Sequence, residues 1–170
     1  MKTIHIILSI CTVVGMVLPV NFRTIAGAAE DREPVADALA KCPKKPNCVC
    51  SEDKDDAKHY IEPLIIPKEI TVDLLPLLKE IIQEMEGKMQ AETDRYLAAT
   101  FKSSIFKFVD DLEIRIDSPR RVIHIRSAAR VGYSDFGVNR KRTKLLKKFF
   151  NNKIAADIQT GNTPPTNSAQ

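Results

Sequence analysis

The densest group of residues with chemical potential in this chain is Arg126, Arg130, Tyr133, Ser134, Asp135, Asn139 and Arg140. Gly132 and Gly137 bracket a corner in that stretch where backbone N–H groups would be exposed, and a helix is expected directly after it. A helix N-terminus flanked by arginines suits a phosphate or a carboxylate. Arg126, Arg130, Tyr133, Asp135, Asn139 and Arg140 are therefore the candidate ligand-binding residues, with three guanidiniums converging and only Asp135 nearby to neutralise them. The opposing reading is that Asp135 caps the helix or pairs with Arg130 and Arg140, which would lock the corner.

The carboxylates offer less. Asp110 and Asp111 are adjacent, so in a strand they point to opposite faces and form no general acid/base pair. Parity places Asp110 on the apolar face, where an unpaired carboxylate is costly. The simpler reading makes it the buried partner of Arg130 or of backbone amides, and the sharper one an acid working at a cleft. Glu113 reads as the cross-strand partner of Arg126. Asp110, Asp111 and Glu113 are thus taken as structural acids. His124, beside Arg115 on the polar face, has no serine or cysteine nucleophile near it in sequence, and cationic neighbours disfavour its charged form. Ser103 and Ser104 lack a Gly-x-Ser-x-Gly context. No catalytic residue is assigned. His59 lies nine residues past Cys50, outside zinc-ligand spacing, and no Gly-rich phosphate loop occurs, so no metal or cofactor is expected.

Elements must position these groups. Phe106, Phe108, Leu112, Ile114 and Ile116 share one parity and Lys107, Asp111, Glu113, Arg115 and Asp117 the other, the period of a strand with one buried face. Ser118-Pro119-Arg120-Arg121 supplies a turn, and Val122 to Ser127 alternates again. A four-residue turn sets Asp117 opposite Val122, Ile114 opposite Ile125 and Glu113 opposite Arg126. The small Ala128 and Ala129 would let another backbone approach. Upstream, Leu74, Leu75, Leu78, Ile81, Ile82 and Met85 recur at helical spacing after an N-cap candidate at Thr71, and Gly87 fits the stop. Lys88 to Thr93 and Tyr96 to Lys102 read as two strands around Asp94-Arg95. Tyr60 to Ile66, interrupted by Pro63, is at best an edge strand. A terminal helix starts at Asn139 or Thr143 and runs to Asn152. The fold class is α+β: a single small domain with a mainly antiparallel sheet and two packed helices.

Met1 to Ala29 has the form of a cleaved export signal: Lys2, an apolar run from Ile4 to Val20, and small residues at Ala26-Gly27-Ala28. An uncleaved membrane anchor is the competing reading, although His5, Pro19 and Asn21 weaken a stable span. Residues 30–41 read as a polar spacer, 42–150 as the domain and 151–170 as a disordered tail. Export to the periplasm or envelope would place Cys42, Cys48 and Cys50 in an oxidising compartment. Cys42 and Cys48 would close a small disulfide loop, with Cys50 the spare thiol or a competitor for the bridge. The segment from Cys42 to Asp56 is rich in Pro, Asn and Asp and would hold no core without such a staple.

Charge is divided unevenly. Residues 30–117 carry 13 Lys or Arg against 20 Asp or Glu, whereas 118–149 carry ten basic residues against Asp135 alone. Such asymmetry calls for an anionic partner or an electrostatic match between the halves. The Arg140–Lys148 segment has no interleaved aromatics, which excludes a stacking platform for nucleic acid. A basic amphipathic helix against an anionic leaflet is the better reading, so peripheral membrane contact is the partner expectation.

Three motifs, in order, carry a family likeness: Cys-Pro-x-x-Pro-Asn-Cys-Val-Cys-Ser over 42–51, Phe108-Val-Asp-Asp-Leu-Glu113, and Arg126-Ser-Ala-Ala-Arg-Val-Gly-Tyr-Ser-Asp-Phe-Gly-Val-Asn-Arg140. Together they resemble the bacterial and plastid family catalogued as domain of unknown function 1499, over roughly Lys41 to Phe150. Cys50 stands where that family's motif has serine. The resemblance implies a small, often exported domain and brings no established reaction. The expectation is a non-catalytic envelope module binding an anionic small molecule or lipid headgroup at the Arg126–Arg140 corner. The alternatives are a hydrolase-like enzyme on a phosphorylated or carboxylated substrate, and a structural or partner-binding envelope protein. A deep pocket on Arg126, Arg130 and Asp110 would favour ligand or substrate, and a filled corner the structural reading.

Overall fold

A computed structural model describes residues 38–71, 73–103 and 107–159. The expected signal, most of the spacer, Ser104, Phe106 and the last residues of the tail lie outside the described residues. The strands are β1 (Cys48–Cys50), β2 (Leu64–Ile65), β3 (Lys88–Glu92), β4 (Tyr96–Lys102), β5 (Val109–Asp117) and β6 (Val122–Ala129). Helix α1 (Leu74–Glu84) lies between β2 and β3, and α2 (Val138–Gln159) follows β6. The order across the antiparallel sheet is β1-β6-β5-β4-β3, with β2 pairing along the same edge of β6.

The β5–β6 hairpin has the register that its four-residue turn dictates: Asp117 faces Val122, Ile114 faces Ile125 and Glu113 faces Arg126. Asp117 accepts from Arg120 N–H at 3.1 Å and from the Arg120 guanidinium at 2.8 Å, which holds its carboxyl below the usual carboxylate range. Leu112, Ile114, Ile116, Ile123 and Ile125 point to the face on which both helices lie, against Leu78, Ile81 and Ile82 of α1 and Leu146, Phe150 and Ile154 of α2. Each fully buried Leu, Ile or Phe of that layer contributes about 1.5–3 kcal/mol of transfer free energy.

Several expectations are corrected. The N-cap of α1 lies two residues after Thr71, because Asp73 is the residue whose carboxylate accepts from Leu75 N–H, at 3.0 Å. Pro76 therefore falls in the first turn, where its missing N–H has no helical acceptor to lose. The left-handed residue that ends α1 is Glu86, at φ 63°, and Gly87 serves packing instead. A Cβ at Gly87 would stand 2.7 Å from both Ile82 Cγ2 and Phe101 Cζ. The Cys42–Asp56 segment is more than a stapled loop. Its centre is β1, Asn47 to Ser51 are all buried, and Cys48 pairs with Ala128, where the small side chain admits it. Leu39, placed in the spacer, is buried and its N–H donates to Glu52 at 2.7 Å. Phe108 lies outside β5 and is exposed, since the strand begins at Val109. Helix α2 starts at Val138 and runs to Gln159, so residues 151–159 are helical rather than tail, and Ile154 is buried in the core. The bridge joins Cys42 to Cys48, with Cys50 a buried free thiol.

Candidate functional site

The corner begins where β6 leaves the sheet. Ala129 N–H donates to Asn47 O and Arg130 N–H to Val109 O, which fixes the last residues of the strand on both sides. Gly132 then turns the chain at φ 90°, and Gly137 turns it again at φ 76° into α2. The amides of the helix start are already occupied. Asp135 Oδ1 accepts from Gly137 N–H at 2.9 Å, and Oδ2 accepts from Asn139 N–H and Asn139 Nδ2, both at 2.8 Å. A carboxylate of this chain thus takes the place that an external anion would have filled.

The three arginines do not converge. Arg126 pairs with Glu113 at 2.5 Å across the hairpin, as parity requires. Tyr96 OH donates to the same carboxylate at 3.0 Å, and burial beside Glu113 pushes the phenol well above its ordinary pKa. Arg130 grips Asp111 through Nε and Nη2, at 3.0 and 2.8 Å, in a half-exposed bidentate pair that raises the guanidinium pKa further. Arg140 is spent on backbone, donating to Tyr60 O at 3.0 Å and Lys58 O at 2.9 Å. A cavity of about 90 Å³ does lie beside Arg140, lined also by Pro46, Cys48, Lys58, His59 and Asp135. The Arg140 and Asp135 groups facing it are those already engaged.

Asp110 is buried and paired, but with Arg142 rather than Arg130. Arg142 Nη2 reaches Asp110 Oδ2 at 2.7 Å, Nη1 reaches Asn139 Oδ1 at 2.5 Å and Ser127 Oγ at 3.1 Å, and the guanidinium lies 4.6 Å over the Phe101 ring. Asn139, fully buried, joins this network to Asn47 O at 3.1 Å. The sequence signal for Arg142 was its place between Asn139 and Leu146 on the inward stripe of α2, masked by the basic run around it. His59 also went unassigned: its Nδ1 meets Asp56 at 2.5 Å and its Nε2 meets Lys45 O at 2.8 Å, tying down the disulfide loop. That contact holds the Asp56 carboxyl below its ordinary pKa.

On the opposite face, Ser51 Oγ lies 3.2 Å from His124 Nδ1, so a serine does accompany this histidine in space. Ser51 is 1% exposed and its Oγ also accepts from Ile125 N–H at 2.8 Å, so no substrate carbonyl can reach it. Burial pushes the His124 pKa down, with Arg115 and Arg120 adding to the effect and Glu52 opposing it. Among the described residues no group of three or more His, Cys, Asp or Glu is arranged to hold a metal ion, and no helix is long and apolar enough to cross a membrane.

What the corner does present is unpaired charge and apolar surface. Lys141, Lys144 and Lys148 are exposed along one face of α2 and pair with no described residue. Val138 and Leu145 share that face, and Val131, Tyr133 and Phe136 stand out from the loop before it.

An antiparallel sheet backed by two helices, stapled at one end and with its acids and arginines largely spent on one another, defines a small α+β domain. The family model described as a protein of unknown function (DUF1499) matches residues 38–150, and the chain belongs to that family. No curated protein matches the chain.

Proposed function

We propose that this chain is an exported, non-catalytic envelope module that works at the surface of an anionic bilayer, meeting lipid headgroups through the outward face of α2 and the corner before it. The observation that carries this reading is the row of exposed lysines, Lys141, Lys144 and Lys148, on the same helix face as the exposed Val138 and Leu145. Cations interspersed with apolar side chains on one face suit the headgroup region, each lysine near an anionic surface being worth about 1 kcal/mol. A headgroup is preferred to a free anion bound in a pocket because Arg126, Arg130 and Arg140 are committed to internal acceptors. A catalytic reading is less favoured, since Asp110 is held by Arg142 and Asp135 by the helix amides.

The test is fractionation of the native envelope, comparing wild type with a Lys141→Gln, Lys144→Gln, Lys148→Gln variant. The wild type should sediment with membranes and be released by a high-salt wash, and the variant should be released at low salt. Equal salt resistance of the two would reject the lysine face as the contact.

A further inference from the structure

We propose that the loop from Val131 to Val138 is a membrane wedge, with Phe136 as the side chain that enters the acyl boundary and Tyr133 as its interfacial rim. This rests on the reading above and adds to it an inserting element and an orientation.

Phe136 is 90% exposed, and its backbone sits at φ 53°, in the left-handed region that an L-residue with a bulky side chain rarely adopts. The fold gains almost no burial from a ring so exposed, and glycine would adopt the conformation freely. A strained, outward aromatic is a cost that a second environment must offset. The loop is also held from within. Ser134 Oγ accepts from Phe136 N–H at 3.3 Å, Asp135 Oδ1 accepts from Gly137 N–H at 2.9 Å, and Gly132 O accepts from Asn47 Nδ2 at 3.0 Å. The ring is therefore displayed by a pinned turn. Val131 is 58% exposed, Tyr133 68% and Val138 44%, so the apolar surface runs around the tip.

The occupant follows from exposure and charge. The apolar groups stand exposed at the loop, Phe136 most of all, and Lys141, Lys144 and Lys148 follow along the helix from Val138. An aromatic tip with a tyrosine beside it and lysines behind it matches the headgroup–acyl boundary of an anionic bilayer, with the cations left at the phosphates.

The chain has no tryptophan, so Phe136→Trp creates a single fluorescent reporter at the tip. The full chain carrying it would be mixed with vesicles of equimolar phosphatidylcholine and phosphatidylglycerol, with lipids brominated at a shallow acyl position as quencher. A second reporter, Ile65→Trp, replaces an exposed residue of β2 at the far end of β6 from the corner. The wedge requires a blue shift and quenching for Trp at 136 and neither at 65. Phe136→Gly should weaken partition roughly ten- to hundredfold, the transfer value of one phenylalanine, with Tm unchanged or raised. Vesicle binding that persists with Trp at 136 unquenched, as a tip that docks on a protein would give, overturns the wedge and leaves the lysine-face reading standing. Equal quenching at 65 and 136 overturns the proposed orientation. A Phe136→Gly variant that lowers Tm assigns the ring to the fold and overturns the wedge, and loss of all vesicle binding by wild type removes both readings.

Discussion

Replacing Arg142 by Ala should destabilise the domain by about 3–5 kcal/mol, whereas the same change at Arg130 should cost within about 1 kcal/mol. The difference comes from exposure. Arg142 and Asp110 leave only 10% and 12% of their side chains accessible, so truncation strands the Asp110 carboxylate, cross-strand neighbour of Phe101, with its solvation unrestored. Arg130 and Asp111 leave 53% and 35% accessible, and water replaces the lost guanidinium. Arg142→Ala also removes donors from Ser127 Oγ and Asn139 Oδ1, which are deeply buried. Urea unfolding with the disulfide intact measures both variants. At a slope of about 2 kcal/mol per molar, the Arg142 variant should lose roughly 1.5–2.5 M of midpoint and the Arg130 variant less than about 0.5 M. Asp110→Leu combined with Arg142→Met should recover much of the loss, since an apolar pair of similar volume leaves no charge buried. Equal midpoints for the two single variants, or a double variant no better than Arg142→Ala, would refute the assignment of Arg142 as the corner's internal counter-ion.

Gly87→Ala places a methyl 2.7 Å from Ile82 and Phe101 and should cost about 1–3 kcal/mol in thermal unfolding; Gly137→Ala meets nothing within 4 Å and should show only the left-handed strain of about 1–2 kcal/mol. Cys50, with its thiol pKa raised by burial, should react with an alkylating reagent at neutral pH only when the domain unfolds, and non-reducing peptide mapping should return Cys42 joined to Cys48. His124, with its pKa lowered by burial, takes up a proton more readily unfolded than folded. Its contribution is therefore neutral above about pH 6.5 and becomes destabilising as pH falls through that value toward the folded pKa, so His124→Gln should flatten the stability profile there.

The hairpin was legible in the sequence because period-two alternation and a fixed turn length leave one register, and Glu113 opposite Arg126 follows from it. Helix α1 was legible from the helical spacing of Leu74, Leu78, Ile81 and Ile82. What escaped was non-local. Strand β1 has only three residues, Cys48–Cys50, and no alternation to read, being specified by Ala128 across the sheet and by the cysteine bridge. The choice of Arg142 over Arg130 for Asp110 depends on how α2 is rotated against the sheet, which no spacing within the helix fixes. The corner was legible in composition, since its residues are where the chain is most polar, but not in geometry. The same arginines that suggested a ligand turn to Glu113, Asp111 and two backbone carbonyls. Phe136, a lone aromatic in a glycine-flanked loop, carries no periodic signal.

The central claim is that the outward face of α2 holds the protein to an anionic surface, and partition onto vesicles tests it most directly. The full chain and its Lys141→Gln, Lys144→Gln, Lys148→Gln variant share the N-terminal apolar run, so any difference between them reports the helix face. Three lysines at about 1 kcal/mol each predict a roughly hundredfold weaker partition of the variant onto phosphatidylglycerol-containing vesicles at low salt, and no difference on phosphatidylcholine alone. Equal partition of the two proteins onto the anionic vesicles would contradict the account.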